Sequence, residues 1–548
     1  MRRSCAGWLA GALLALEASL CWAQAPVIQS LNANTLPRSG RLRVIGSNFG
    51  GLEGQVLVSG LPAIVTRWAN TAIVAYVPEA APLGNATVQV VNAYGSSNLA
   101  PLQVTLRQPD GHVRWRFEAD VMNLWYRPAL APDGTIYLHG EEGRVYALAP
   151  DGGLKWIKRL ESYPFPYVPP LAGPNGEVYV SSIATVTALF SDGNIHWQFT
   201  DPGAQGVHAG PVFGPDGNLY FCNDLGLGAC KLTPSKGELL WSNAGEPLIS
   251  FYGGDGAETV IGARQADDPP SQMYVASTPL FTDGSLYAFD LASGNQNWSI
   301  VYGWQDSPFT QLQTRPEVGP DGTIYLTHMK GGGYGWSLEA YSPVNGQSLW
   351  FLPGGGDLYP PAIGPDGRLY MTTMFNVKAV DPATHNVLWT YQDGWMTSWP
   401  TVSPLNDLLI VGGVKTFGDL GVIRAVSTSG TPLWSLTLPG AFYPAPRAVP
   451  VHRPRFTPDG STAYVSTVML AGDGNDPHSY LFALETGVSS VPGDIDGDGD
   501  VDQADLGILL AAFGTCAGDP GFNPAADIDG DGCVGQADLG SLLANFGM

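Results

Sequence analysis

Short stretches in which apolar and polar residues alternate, each cut off by Gly, Pro, Asn or Asp, follow one another along most of this chain. Alternation with a period of two puts one face of a strand in a core and the other in water. Residues 41–45, 55–58, 72–77 and 87–91 alternate in this way, and 46–51 and 78–84 have the composition of turns. Roughly seven such strands in residues 26–107 predict a β-sandwich. From 109 to 488 the runs become a repeated unit. Residues 127–156 show it: a short strand, the turn Pro132-Asp133-Gly134, a second strand, a turn at 141–143, a third strand, and a fourth ending in Trp156. The Pro-Asp-Gly turn recurs at 215–217, 320–322, 365–367 and 458–460, with variants at 174–176 and 404–407. Asp-Gly supplies the positive φ that a tight hairpin demands. After residue 492 the pattern changes again, and 505–513 and 538–546 read as two short apolar helices.

The repeat has a tryptophan marker. Trp115, Trp156, Trp197, Trp241, Trp298, Trp350, Trp389 and Trp434 lie 39 to 57 residues apart, most of them with Gly or His four residues earlier. A period of this length, with four strands in each unit, predicts a β-propeller. Seven units end in their own Trp, from Trp156 to Trp434. The last unit, 453–487, has none, and Trp115 has no unit before it. A strand at 111–117 that completes the last unit accounts for both facts. The predicted fold is therefore mainly β: a sandwich at 26–107, an eight-bladed propeller at 109–488 closed by strand exchange, and a small helical module at 492–548.

Two family resemblances sharpen this. Residues 288–298, with Ala288, Asp290, Gly294 and Trp298, fit the docking pattern of the pyrroloquinoline-quinone (PQQ)-type propeller repeat. Residues 379–389 fit it with His385 in place of Gly. The resemblance implies that each Trp packs on the Gly peptide of a neighbouring blade, so the tryptophans are structural. Gly46-Ser47-Asn48-Phe49-Gly50, Val77-Pro78 and the run at 92–98 make the first unit similar to IPT/TIG domains, immunoglobulin-like units that serve as spacers or adhesive modules.

Composition and charge narrow the setting. The 548 residues include 70 Gly and 45 Pro, and only 14% are charged, as in turn-rich β proteins. The formal net charge is −23, which excludes nucleic acid as a partner, since binding it needs a cationic surface. Residues 1–23 read as an export signal, with Arg2 and Arg3 ahead of the apolar run 9–20. The expected location is secreted or on the cell surface, with no transmembrane segment in the mature chain. Beyond the signal stand Cys222, Cys230, Cys516 and Cys533, an even number compatible with two disulfides in an exported chain. Cys222 and Cys230 are expected to face each other across a hairpin, and Cys516 to pair with Cys533.

The tail carries the sharpest chemistry. Residues 492–548 hold eleven acidic side chains and no Lys or Arg. Asp494, Asp496, Asp498, Asp500, Asp502 and Asp505 occupy positions 1, 3, 5, 7, 9 and 12 of a Ca²⁺ loop with Gly499 at position 6. A second loop, 33 residues on, offers Asp527, Asp529, Asp531, the backbone carbonyl of Cys533, and Asp538, with Gly535 leaving position 9 to water. Two loops, each leading into a helix and ending in Asp, resemble a type I dockerin. That resemblance implies two Ca²⁺ sites and docking onto a cohesin-like or other cell-surface protein. Positions 10 and 11, where dockerins recognise their partner, are Gln503-Ala504 and Gln536-Ala537.

Catalysis is weighed against this. PQQ-dependent dehydrogenases share the repeat, but the chain lacks their adjacent cysteine pair, and no spacing singles out an acid among Asp255, Glu258, Asp306 and Glu317. It also lacks a nucleophile elbow, a His-Glu-x-x-His motif and a dinucleotide glycine motif. The expectation is a non-enzymatic binding or scaffold propeller without PQQ. The alternatives are a PQQ-dependent dehydrogenase and an accessory component of an extracellular polysaccharide-degrading assembly. Aromatic residues in the connections between blades, among them Trp125, Tyr126, Tyr167, Trp304, Trp395 and Trp399, form a possible platform for a glycan or peptide. The competing expectation is that these rings seal gaps between blades.

Overall fold

A computed structural model gives the architecture. It describes residues 24–548 except for 161–167, 204–206, 224–226, 244–259, 263–269, 278–283, 303–314, 331–334, 355–359, 415–420, 439–447, 470–477, 487–492, 496–500 and scattered shorter stretches. The expected export signal, 1–23, lies outside the described residues. The chain divides into two units, one ending at Leu106 and one beginning at Arg107.

In the first unit, Val27–Leu31, Arg41–Ser47, Ala72–Tyr76 and Ile64–Trp68 form one sheet. Thr35–Pro37, Ala100–Thr105, Gly84–Asn92, Gln55–Val58 and Leu61–Pro62 form the other, with Gly95–Ser96 also paired to Gly84–Asn92. Alternate residues of each strand meet in one core: Leu42, Val44, Ile73 and Ala75 from the first sheet, Val56, Val88, Val90, Leu102 and Val104 from the second. The period-two pattern is realised directly, because each strand has one face toward this core.

The second unit contains, among the described residues, eight sheets of four or five strands. The first blade consists of Ala129–Leu130, Ile136–Gly140, Arg144–Leu148 and Leu154–Arg159, hydrogen-bonded in that order. Its two middle strands are buried along their whole length, whereas the outer strand is buried only at Leu154. A middle strand is covered on both faces by neighbouring blades, so its run is apolar throughout instead of alternating. Tyr137, Val145 and Ala147 of the first blade accordingly pack against Val178, Val180 and Leu189 of the second.

The last sheet closes the ring by strand exchange. Val113–Ala119 pairs antiparallel with Ser479–Glu485, placing Trp115 opposite Ala483 and Phe117 opposite Leu481. The exchanged strand runs two residues further than the predicted 111–117, since Glu118 and Ala119 still pair with Tyr480 and Ser479.

The tryptophans stitch successive blades. A Cβ placed on Gly152 would lie 2.7 Å from the indole of Trp115, and one on Gly237 or Gly294 would lie 2.5 Å from Trp197 or Trp241. Each of these glycines has positive φ, so both the backbone conformation and the close approach require Gly. The indole N–H groups donate to backbone carbonyls of the same turns, as in Trp156 to Ser191 at 2.7 Å and Trp389 to Thr428 at 2.9 Å. His385 keeps the positive φ and stacks on Trp350 instead, with ring centroids 4.6 Å apart.

One expected disulfide is overturned. Cys222 and Cys230 are unbonded and buried. In the third blade, Leu219–Asn223 pairs with Ala229–Leu232 so that Cys222 faces Ala229 and Cys230 faces Phe221. This offset of one residue sends the two side chains to opposite faces of the sheet. Cys222 packs with Met273 and Tyr287 of the fourth blade, and Cys230 with Val186 and Ala188 of the second.

Candidate functional site

The tail is built as two copies of one loop and helix. Helix α1 is Gln503–Ala512 and helix α2 is Gln536–Ala544. Both begin two residues before the starts predicted at 505 and 538. The reason is local. Asp502 caps α1 by accepting from Ala504 N at 2.7 Å, and Asp505 reaches back to Asp502 N at 2.8 Å. In the second copy Gly535 has no side chain to cap with, and only the return bond is made, from Gly535 N to Asp538 at 2.6 Å.

These position-12 aspartates also order the loops. Asp505 accepts from Ile495 N at 2.5 Å, and Asp538 accepts from Ile528 N at 2.7 Å and Asp529 N at 3.1 Å. Both are buried. Burial pushes the Asp538 carboxyl pKa up, but the N–H groups of Gly535, Asp529 and Ile528 more than offset this and hold it below the usual carboxylate value.

Carboxylate oxygens of Asp527, Asp529 and Asp538 all lie within 4.8 Å of one another. Asp527 Oδ1 is buried without a hydrogen-bond partner, while its Oδ2 accepts from Gly532 N at 3.0 Å. Gly532, at loop position 6, has φ +89°, the sharp turn that this position demands. An oriented carboxylate set with a buried lone pair left over is the donor chemistry of a hard cation. Asp494, Asp496, Asp498 and Asp500 of the first loop, and Asp531 of the second, lie outside the described residues.

The two copies interlock. Gly514 N donates to Val534 O, and Gly547 N donates to Val501 O, both at 2.8 Å, so each helix end is tied to the other copy's loop. Val501, Leu509, Val534 and Leu542 form the shared core. Cys516 and Cys533 are disulfide-bonded. The bridge engages the Cys533 side chain and not its backbone carbonyl. Facing outward, Leu510 and Leu543 are each 54% exposed, and Phe513 and Phe546 each 42%. Gln503, Ala504, Gln536 and Ala537 are exposed as well.

Of the suggested aromatic platform, Tyr126 and Trp399 are buried, at 4% and 3% exposure. The Tyr126 carbonyl accepts from Ser466 Oγ at 2.8 Å, and Trp399 lies 6.0 Å from the Arg315 guanidinium. These two rings fill space between elements and offer no ligand surface. Trp125, Tyr167 and Trp304 lie outside the described residues, as does the side chain of Trp395.

The propeller's one acid of interest within the described residues is Glu317; Asp255, Glu258 and Asp306 lie outside them. Glu317 Oε1 accepts from Arg315 at 2.5 Å and from Arg453 at 2.7 Å. Burial alone would raise its pKa, but the two guanidiniums pull it below the usual carboxylate value. A carboxylate saturated in this way is a poor general base. The sequence reading passed over the arginines. The signal was an Arg-Pro dipeptide just before the inner strand, at 127–128, 315–316 and 453–454.

Residues 103–247 and 181–357 match the family model described as outer membrane protein assembly factor BamB. The chain carries BamB-type β-propeller repeats. No curated protein matches the sequence. Among solved structures, the Dos1 propeller is similar at 12% identity and a TM-score of 0.49, over 67% of this chain and 93% of that one. The hydrazine synthase of Kuenenia stuttgartiensis is similar at 14% identity and a TM-score of 0.38, over 57% of this chain and 97% of that one. A streptogramin B lyase follows at 13% identity and a TM-score of 0.36, over 68% and 97%.

Proposed function

We propose that this chain is an exported, non-enzymatic propeller scaffold, attached to an extracellular or surface partner through a Ca²⁺-dependent, dockerin-like tail. The IPT/TIG-like first unit serves as a spacer. The observation that carries this reading is the duplicated tail, in which each position-12 aspartate organises a loop and each helix presents an unpaired apolar pair. Asp494, Asp496, Asp498, Asp500, Asp502 and Asp505 would hold one Ca²⁺. Asp527, Asp529, Asp531, the Cys533 carbonyl and Asp538 would hold the other. The ions neutralise carboxylates that otherwise repel one another, so metal binding and tail folding are coupled. Leu510, Phe513, Leu543 and Phe546 then form the docking face, with Gln503-Ala504 and Gln536-Ala537 at its edge.

A dehydrogenase reading has less behind it, because Glu317 is locked between two arginines. The decisive experiment is Ca²⁺ titration of the full chain by calorimetry, together with binding to immobilised cohesins in Ca²⁺ and in chelator. Two bound ions and chelator-sensitive capture, lost in a Leu510→Asp, Leu543→Asp double variant, are expected. No bound Ca²⁺ refutes the metal assignment; Ca²⁺ binding without capture refutes the cohesin-type partner. Adding PQQ with Ca²⁺ and an electron-accepting dye is expected to give no dye reduction.

A further inference from the structure

Four cysteines follow the expected export signal, and they are of two chemical kinds. Cys222 and Cys230 are unbonded and buried inside the propeller, where burial pushes both thiol pKa values up. A buried, protonated thiol is inert toward exchange. Cys516 and Cys533 are joined to each other, and both are partly exposed. Thiol–disulfide exchange with an outside reagent therefore falls on the tail.

The bridge ties two parts of the tail that are otherwise held by local contacts. Cys516 belongs to the turn after α1, where Thr515 Oγ donates to Ala512 O and Cys516 N donates to Asp519 Oδ2 at 2.9 Å. Cys533 stands at position 7 of the second loop. Before it, Gly532 N donates to Asp527 Oδ2 at 3.0 Å; after it, Val534 is buried and Gly535 N donates to Asp538 Oδ2 at 2.6 Å. Val534 N also donates to Thr515 O, and Gly514 N to Val534 O, both at 2.8 Å. The cross-link thus fastens the middle of the second loop to the end of the first helix, alongside the carboxylates of Asp527, Asp529 and Asp538. The first loop has no such cysteine. Asp500 and Asp502 stand at its positions 7 and 9, where the second loop has Cys533 and Gly535. With fewer carboxylates to attract a cation, the second loop depends more on being in place beforehand.

We propose that the Cys516–Cys533 bridge is a redox switch on the second loop, which sets that loop's Ca²⁺ affinity by the oxidation state of the chain. The proposal rests on the Ca²⁺ reading of the tail. With the cysteines joined, the cross-link has already removed much of the loop-closure entropy that a bound ion must offset. A dithiol reductant opens the bridge in two exchanges. Its first thiolate attacks one sulfur, forming a mixed disulfide and releasing one cysteine; its second thiol then displaces the other cysteine. The reductant leaves as a cyclic disulfide, and Cys516 and Cys533 carry away its two electrons and two protons as thiols. The reduced loop keeps its ligands and loses its fastening. On the export reading, the tail becomes competent to dock only after it leaves the reducing interior of the cell.

The test is calorimetric titration of the full chain with Ca²⁺ alone, before and after dithiothreitol, and again after reoxidation. Alkylation and peptide mapping follow the thiols, and Cys516 and Cys533 are the ones expected to become reactive in the folded chain. A Cys516→Ser, Cys533→Ser double variant, which keeps the backbone carbonyl at position 7, stands in for chemical reduction. The oxidised parent is expected to bind two ions. Reduction, or the double variant, is expected to weaken one of them at least about tenfold and to leave the other within about threefold. Reoxidation of the parent should restore the first value. In Asp527→Ala the one remaining site should not respond to dithiothreitol. Two ions bound equally in both redox states would overturn the switch and leave the Ca²⁺ reading standing, whereas no Ca²⁺ bound in either state would overturn both. Loss of both sites on reduction, without recovery on reoxidation, would make the bridge a general brace of the tail and also overturn the switch.

Discussion

At the scale of single residues, blade docking at Gly294 leaves no room for a methyl group. A Cβ at Gly294 would sit 2.5 Å from the Trp241 indole, on a backbone at φ +73°. Gly294→Ala is therefore expected to destabilise the propeller by about 2 kcal/mol, read from the denaturant midpoint. His385 shows what such a position tolerates: φ +61° on a non-Gly residue, with the imidazole stacked on Trp350. Substituting His385→Gly relieves the backbone but loses the stack, so it should change stability by less than about 1 kcal/mol. His385→Val keeps the strain, adds a β-branch and should cost about 2 kcal/mol. His139, in the first blade, is a pH-sensitive residue of another kind. Burial pushes its pKa down to about 4 from 6.5, so the folded state holds it neutral. The unfolded chain binds this proton more readily. Its contribution is thus fully present above about pH 6.5 and is lost as pH falls toward 4, to the extent of about 3 kcal/mol. Denaturant midpoints measured across that window should fall less steeply in His139→Gln than in the parent.

At the scale of elements, one aspartate side chain serves both the start of each tail helix and the loop before it. Asp505 and Asp538 close the first turns of α1 and α2 and also bind the loop N–H groups, so substituting either one removes both sets of contacts together. The full chain in excess chelator is expected to lose the tail's helical circular dichroism and to regain it with Ca²⁺. Asp494→Ala with Asp527→Ala should abolish the recovery. A helical signal indifferent to chelator would reject the coupling. The third blade teaches a complementary point about register. Equal distances from a hairpin turn suggested that Cys222 and Cys230 meet, yet a shift of one residue in pairing separates them by the thickness of the sheet.

For the whole molecule, closure of the ring is the decisive contact. Val113–Ala119 supplies the outer strand of the last blade, and Trp434 at the neighbouring junction stacks on His112 with ring centroids 4.5 Å apart. Deleting 26–107 should leave a cooperatively melting propeller, since no strand of the ring comes from the first unit. Deleting 26–118 removes the exchanged strand and exposes a row of unpaired backbone groups, so soluble yield and melting temperature should both fall sharply. If the two truncations melt alike, strand exchange does not hold the ring closed.

The repeat period, blade count and exchanged strand were legible in the chain itself, because each blade reports through local signals: an Asp-Gly turn, a buried strand pair, and a Trp preceded at four residues by the Gly or His that receives the preceding Trp. The two helices of the tail were legible for the same reason, since each follows a local run of Asp and Gly. What only the tertiary structure decided involves residues far apart in sequence. The register of Cys222 against Cys230, the burial of Tyr126 and Trp399, and the meeting of Arg453 with Glu317 across 136 residues each depend on how strands and blades are placed. Sequence periodicity shows which side of a strand is buried. Which charges then face one another across a closed ring is set by the curvature and number of the blades, and no local pattern encodes that.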